Sequence, residues 1–255
     1  MNEALTHTLE RRIVINAKRA TVFRYFTDSK RFADWWGAGS EIEGKSGGKM
    51  RICYPGGIKV SGEVREIVPQ QRIVFTYGYD SGIPIPPGSS LVTITLKDHP
   101  DGTELTLVHA FSDPAVRNEH IQGWRYQLAL FANVASKDQH QNLQQLIDQY
   151  FQLWNTTAAD QRRNAMQEIL TPDVEFHDPY GCTSGVEEFD IHIAAVHRFM
   201  PGMSIARNGS AQLCQGAALS NWVAKGADGA TAASGTNVFT LSPDGLIRKI
   251  YGFWM

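Results

Sequence analysis

Cysteine is scarce in this chain: three in 255 residues, Cys53, Cys182 and Cys214, far apart and with no C-x-x-C pair. An odd number at such spacings argues against a disulfide frame and points to reduced thiols, hence to a cytoplasmic location. Long apolar runs are also missing. None approaches the ~18 residues of a membrane span, and the N-terminal stretch T-H-T-L-E-R-R carries charges where a signal peptide needs an apolar core. Nor is there a basic excess. Lys and Arg total 24 against 26 Asp and Glu, a formal charge of −2. Residues 1–138 hold 17 basic against 15 acidic residues and residues 139–255 hold 7 against 11, so neither half offers phosphate-neutralising charge. Neither nucleic acid nor a membrane is expected as a partner. No glycine or proline falls between Trp124 and Asn155. Ser136-Lys137-Asp138-Gln139 there fits a capping box, which predicts a new helix start and a domain boundary at about 138–141. One continuous or kinked helix through the boundary is the alternative.

What is present has the composition of a globular protein, 42% hydrophobic and 20% charged, long enough for two domains of ordinary size. Residues 1–138 begin with an alternating edge strand, Leu9 to Ile15, then two short helices, Thr21–Phe26 and Ser29–Trp36, broken at Thr27-Asp28. Strand patterns follow over Lys49–Tyr54, Val60–Val68, Arg72–Tyr79, Leu91–His99 and Thr103–Phe111, punctuated by Gly and Pro clusters and an Asp101-Gly102 hairpin turn. A helix from about Ala115 to Ala135 carries Ile121, Trp124, Leu128 and Phe131 on one stripe. A sheet wrapped around such a helix leaves a natural ligand cavity. Trp36, Tyr54, Tyr77, Trp124 and His109 are its candidate lining; the same residues also read as core, and His109, on the face of Leu105, Leu107 and Phe111, reads as a hydrogen-bonded core histidine.

Residues 139–255 open with an amphipathic helix through Leu143, Leu146, Ile147, Tyr150, Phe151 and Trp154. A second helix, Ala159–Leu170, is expected to stop at Pro172. The segment Val174–Gly185, V-E-F-H-D-P-Y-G-C-T-S-G, is a strand that places Val174, Phe176 and Asp178 on one face and Glu175 and His177 on the other. Pro179 ends it. A carboxylate closing an apolar face is where desolvation raises an Asp pKa toward the range of a general base. The same Asp also reads as a turn cap. A third helix, Val186 to about Met200, turns Phe189, Ile193, Val196 and Met200 inward, and strand patterns run over Ser204–Cys214, Ala217–Lys225, Ala232–Leu241 and Leu246–Trp254. Asn237 shares the face of Phe239 and Leu241. Tyr150, Asp178 and Asn237 are thus three polar groups presented on apolar faces, with Trp154, Phe176 and Phe239 as candidate ligand contacts. His177, His192 and His197 lack a metal-ligand spacing, and neither metal nor cofactor is expected.

Two family resemblances rest on these residues. Trp35-Trp36-Gly37, Gly47-Gly48, Gly62-Glu63-Val64 with Pro69, V-T-I-T-L at Val92–Leu96, Gly102-Thr103-Glu104-Leu105 and His120 with Gly123-Trp124 resemble the SRPBCC (START-like, helix-grip) superfamily, in the branch of the heat-shock-protein ATPase activator. That likeness, over about 8–138, implies a fold and a cavity, not a reaction. Residues from about 141 to 255 resemble the nuclear-transport-factor-2-like cone fold, nearest to SnoaL-like polyketide cyclases and ketosteroid isomerase. Tyr150 in D-Q-Y-F-Q-L and Asp178-Pro179-Tyr180-Gly181 match the isomerases' helix tyrosine and their base; Asn237 stands where they carry a second, protonated Asp.

The likeness implies a proton transfer beside a carbonyl, with Asp178 as base and Tyr150 and Asn237 holding the enolate oxygen, and His177 as second choice. The expected fold is α+β with two domains, a helix-grip over 1–138 and a cone fold over 139–255. The expected ligand is a small hydrophobic molecule, and cone-fold analogy suggests a homodimer. Three functions stay open: an isomerase or cyclase, a non-catalytic protein with two ligand pockets, and a stress- or chaperone-associated role.

Overall fold

The computed structural model describes residues 4–255 as an α+β chain of two compact units, Met1–Asp138 and Gln139–Met255. The first unit runs β1 (His7–Ile15), α1 (Arg19–Arg24), α2 (Ser29–Trp36), β2 (Glu41–Ile42), β3 (Lys49–Cys53), β4 (Lys59–Val68), β5 (Arg72–Tyr77), β6 (Ser90–His99), β7 (Gly102–Phe111) and α3 (Pro114–Gln139). Its strands form one seven-stranded sheet in the order β1-β7-β6-β5-β4-β3-β2, each pair antiparallel. The short β2 was not anticipated. Asp28 separates α1 from α2, its carboxylate accepting the Arg31 amide at 3.1 Å as N-cap of α2. Val116, His120, Trp124, Leu128, Phe131 and Ala135 recur at three- and four-residue steps along α3 and enter the same core as β5, β6 and β7.

The expected helix start at Ser136 is wrong. Ser136 is fully buried inside α3, which continues to Gln139 because nothing in that stretch breaks a helix. Asp138, near the helix C-terminus where a carboxylate opposes the helix dipole, is held by Arg24 at 3.2 Å and Arg31 at 3.3 Å. The chain turns at 140–142 instead.

The second unit runs α4 (Leu143–Asn155), α5 (Ala159–Ile169), β8 (Leu170–Asp178), β9 (Gly181–Ser184), α6 (Gly185–Phe199), β10 (Ser204–Cys214), β11 (Ala217–Lys225), β12 (Thr231–Leu241) and β13 (Ile247–Trp254). Its six-stranded sheet has the order β10-β11-β12-β13-β8-β9. The sheet is mixed rather than wholly antiparallel, since β13 lies parallel to β8; the chain between those strands is long enough to carry the crossover a parallel pair needs. α5 ends at Ile169, one residue from its expected end and ahead of Pro172. Pro172 itself sits inside β8, where its missing N–H falls in the gap between the Leu170–Ile247 and Glu175–Lys249 pairs and costs no ladder bond. Met200, at the C-terminal end of α6, is half exposed.

A buried ion pair ties the helices of this unit together. Arg162, 2% exposed, donates from Nε to Asp190 at 2.6 Å and from Nη1 to the Thr156 carbonyl at 2.8 Å, while Arg163 takes the other Asp190 oxygen at 2.8 Å. Removing one partner of such a pair strands the other charge in the interior. Asp190→Ala is expected to cost about 3–5 kcal/mol in denaturant unfolding, and a loss below about 1 kcal/mol would show that the pair is solvated in solution.

Candidate functional site

Five strands and two helices of the second unit converge on a cavity of about 100 Å³ lined by Tyr150, Trp154, Phe176, Asp178, Trp222 and Asn237, among others. Each arrives for a local reason. Tyr150 rides the apolar stripe of α4 and is fully buried. Asp178 is the last residue of β8, and the Pro179-Tyr180 turn returns the chain so that Asp178 pairs with Gly181. Asn237 lies on the buried face of β12, opposite Gly252 of β13. Gly252 leaves room at this point: a Cβ there would lie 3.2 Å from Asp178 Cβ and 3.3 Å from Asn237 Oδ1, tight enough to press on both side chains. Its bare Cα opens the floor between the acid and the amide.

The polar groups are wired in one direction. Trp222 Nε1 donates to Asn237 Oδ1 at 2.9 Å, and Asn237 Nδ2 donates to the Tyr150 hydroxyl oxygen at 3.2 Å. An indole N–H can only donate, so the amide's orientation is settled and the phenol's own hydrogen is not spent on it. Burial, with the Asp178 charge adding to it, pushes the Tyr150 pKa well above the ordinary phenol value, so the hydroxyl stays protonated and available as a donor. Half-buried Asp178 accepts the Tyr180 amide at 2.8 Å on one oxygen and Trp254 Nε1 at 3.4 Å on the other. It therefore caps its turn and faces the cavity as well. His192 of α6 also stands in the wall. Burial pulls its pKa below the ordinary histidine value, against a smaller opposing pull from Asp178.

Two anticipated residues are not in this site. His177 lies on the opposite face of β8, stacked on Tyr251 with ring centroids 5.2 Å apart, its Nδ1 3.2 Å from Cys182 Sγ and its Nε2 3.6 Å from Glu175. Strand alternation puts it there. Phe239 is fully buried beneath the Tyr150 ring at 5.0 Å and supports the phenol rather than meeting a ligand. Trp222, Trp254, Gly252, Tyr180 and His192 line the cavity but were not singled out. The signal existed for three of them: Trp222 shares parity with buried Ala218, Ser220 and Ala224, and Gly252 and Trp254 share parity with Ile250.

In the first unit Trp36, Tyr54, Tyr77 and Trp124 do line a cavity, of about 330 Å³, together with Tyr79 and His120. His109 does not. It is fully buried, with Nε2 2.8 Å from Ser90 Oγ and Nδ1 accepting Trp124 Nε1 at 3.0 Å, and burial holds its pKa far below the usual value. A neutral, fully bonded imidazole is a core group that aims the Trp124 ring. Among the described residues, no group of three or more His, Cys, Asp or Glu side chains could hold a metal ion, and no helix is long and apolar enough to cross a membrane.

Comparison with known families accounts for both units. Residues 16–136 match the family model for activator of Hsp90 ATPase homolog 1-like protein, and residues 147–250 match that for the SnoaL-like domain. The chain joins an AHSA1-like domain to a SnoaL-like domain. An AHSA1-like protein from Rhizobium etli is 32% identical, covering 53% of this chain and 87% of its own, with a TM-score of 0.43. A proposed isomerase of the SnoaL-like family from Agrobacterium tumefaciens is 23% identical over 46% of this chain and 98% of its own, TM-score 0.43. CalU16 from Micromonospora echinospora is 24% identical over 51% of this chain and 80% of its own, TM-score 0.39. No curated protein matches the chain.

The electrostatics of the SnoaL-like cavity can be read directly. Because Asp178 raises the His192 pKa against the larger effect of burial, Asp178→Asn is expected to move the His192 midpoint further down. Imidazole chemical shifts followed through a pH titration measure it, and an unchanged or higher midpoint would place the two groups out of electrostatic reach.

Proposed function

We propose that the SnoaL-like domain carries out metal-free proton transfer next to a carbonyl on a small hydrophobic compound, as an isomerase or cyclase does, while the AHSA1-like domain holds a small apolar ligand. The observation that carries this reading is the Trp222–Asn237–Tyr150 chain of hydrogen bonds ending beside Asp178 in one cavity. Asp178 takes the proton from the carbon next to the carbonyl. The Tyr150 hydroxyl donates to the oxygen on which negative charge gathers. Asn237 acts first on Tyr150: its amide donates to the phenol oxygen, which leaves the phenol hydrogen for the enolate. This differs from an arrangement in which tyrosine and amide contact the substrate side by side. Protonated Asp178 then returns the proton to a second carbon, or the enolate carbon adds to a second carbonyl of the same molecule, whose C=O π bond opens to an alkoxide that takes the proton back from Asp178.

Residues in the first unit's aromatic cavity support a holding role, since four of the five side chains anticipated there line it. Pairing of two copies through the outer face of the second sheet belongs to the same reading, supported by the row Leu219–Val238–Tyr251 that register places across that face. So does a cytoplasmic location, supported by the scarce, widely spaced cysteines.

A non-catalytic pocket protein is the competing reading, favoured by the hydrogen bonds on both Asp178 oxygens. Exchange of α-hydrogens of small cyclic ketones in D₂O, followed by NMR, separates the two. The wild-type chain is expected to accelerate exchange, Asp178→Asn to lose about 10²–10⁴-fold of the acceleration and Tyr150→Phe about 10²–10³-fold. Exchange that survives Asp178→Asn unchanged removes the base assignment, and absence of any acceleration across the ketones leaves the pocket protein.

A further inference from the structure

The AHSA1-like domain carries a second space next to the aromatic cavity, of about 500 Å³, and the two share Trp36, Tyr54, Ile58, Tyr79, Gly123 and Gln127 as walls. They are one recess with two lobes. Its rings meet at right angles: Trp36 with Tyr54 at 87° and 5.6 Å, Trp36 with Trp124 at 76° and 5.6 Å, Tyr77 with Tyr79 at 90° and 5.8 Å. Perpendicular neighbours form the corners of a box, in which any guest meets ring faces as well as edges.

The polar tips of those rings are turned on each other. The Tyr54 and Tyr77 hydroxyls are 3.2 Å apart, and the Tyr79 hydroxyl is 3.2 Å from His120 Nε2, whose Nδ1 is 2.8 Å from the Val116 carbonyl. Since Nδ1 must donate to that carbonyl, Nε2 of the neutral ring accepts from Tyr79. Burial holds the His120 pKa below its usual value, so the imidazole adds no positive charge near neutrality. Among the described residues lining either lobe there is no lysine or arginine; the charged side chains are Glu119 at one lobe and Asp34 at the other, both exposed. Walls of π faces with carboxylates at the rim create negative potential, and no lysine or arginine of the lining offsets it.

We infer that this recess binds an organic cation, a quaternary or protonated amine on an apolar body, with the charged head against the box of Trp36, Tyr54 and Tyr79 and within reach of Glu119. The inference rests on the reading of this domain as a ligand holder and names the class of ligand it holds. A neutral apolar guest fills the same volume but gains nothing from the ring quadrupoles or the rim carboxylate. An anionic guest is repelled by both.

The test uses the 255-residue chain and two probes of one shape, benzyltrimethylammonium and neopentylbenzene, in which carbon replaces the charged nitrogen. Tryptophan fluorescence or calorimetric titration is expected to show the cation binding about tenfold or more tighter than its neutral twin. Glu119→Gln, at an exposed position, is expected to weaken the cation severalfold and leave the hydrocarbon unchanged. Tyr79→Leu weakens the cation while Tyr79→Phe, which keeps the ring, does not. Equal or tighter binding of the neutral probe overturns the charge assignment and leaves a plain apolar holder. Binding of neither probe overturns both the cation inference and the holder reading.

Discussion

A buried amide with both ends occupied is the constraint around which the C-terminal half is arranged. An asparagine inside an apolar core costs free energy unless its donors and acceptors are met. Here Trp222 meets the oxygen and Tyr150 receives one of the N–H groups. That requirement reaches outward. It fixes the Trp222 indole over Gly235, where a Cβ would lie 2.5 Å from the ring, and it fixes the rotation of the Tyr150 phenol on α4. It also decides which hydrogen is left for a guest. The site's chemistry is thus a by-product of satisfying one polar group.

A second constraint is steric and falls on glycines. Gly252 keeps Asp178 and Asn237 on a common opening. Gly181 gives the His192 ring its place, since a Cβ there would stand 2.5 Å from Cε1. The ion pair of Arg162 with Asp190 then holds α6, two residues before His192, against α5. Backbone room, a charged clamp and a hydrogen-bond chain together place five side chains, Tyr150, Asp178, His192, Trp222 and Asn237, that are distant in sequence.

Much of this was legible in the sequence because it depends on period. Alternation on β8 placed Asp178 with Val174 and Phe176 and turned His177 away; the helical stripe of α4 carried Tyr150 inward; the parity of β12 brought Asn237 to Phe239's face. Elements bounded by Gly or Pro clusters fell within a few residues of their observed ends. What was not legible depends on who sits opposite whom. Ser136 carried a capping pattern, yet burial against the rest of α3's core overrode it. The end of α5 ahead of Pro172 is readable from the sequence, but the place of Pro172 inside a strand, in a gap left by the parallel partner β13, is not. The roles of Trp222 and Trp254 are cross-strand facts, and no single-strand pattern states which polar tip a tryptophan will reach. His109 was visible as an inward histidine, but its fully bonded state required knowing that Ser90 and Trp124 flank it.

The central claim is that the Tyr150 hydrogen, oriented by Asn237, is the donor to an oxygen lying within reach of Asp178. A crystal structure of the chain with a bound planar phenol, as a mimic of the enolate, tests it most directly. The account predicts the phenol oxygen about 3 Å from the Tyr150 hydroxyl, with the ring between Trp154 and Trp222 and the Asp178 carboxylate over its face. A phenol whose oxygen turns to the cavity mouth, with the Tyr150 hydroxyl hydrogen directed elsewhere, would contradict it.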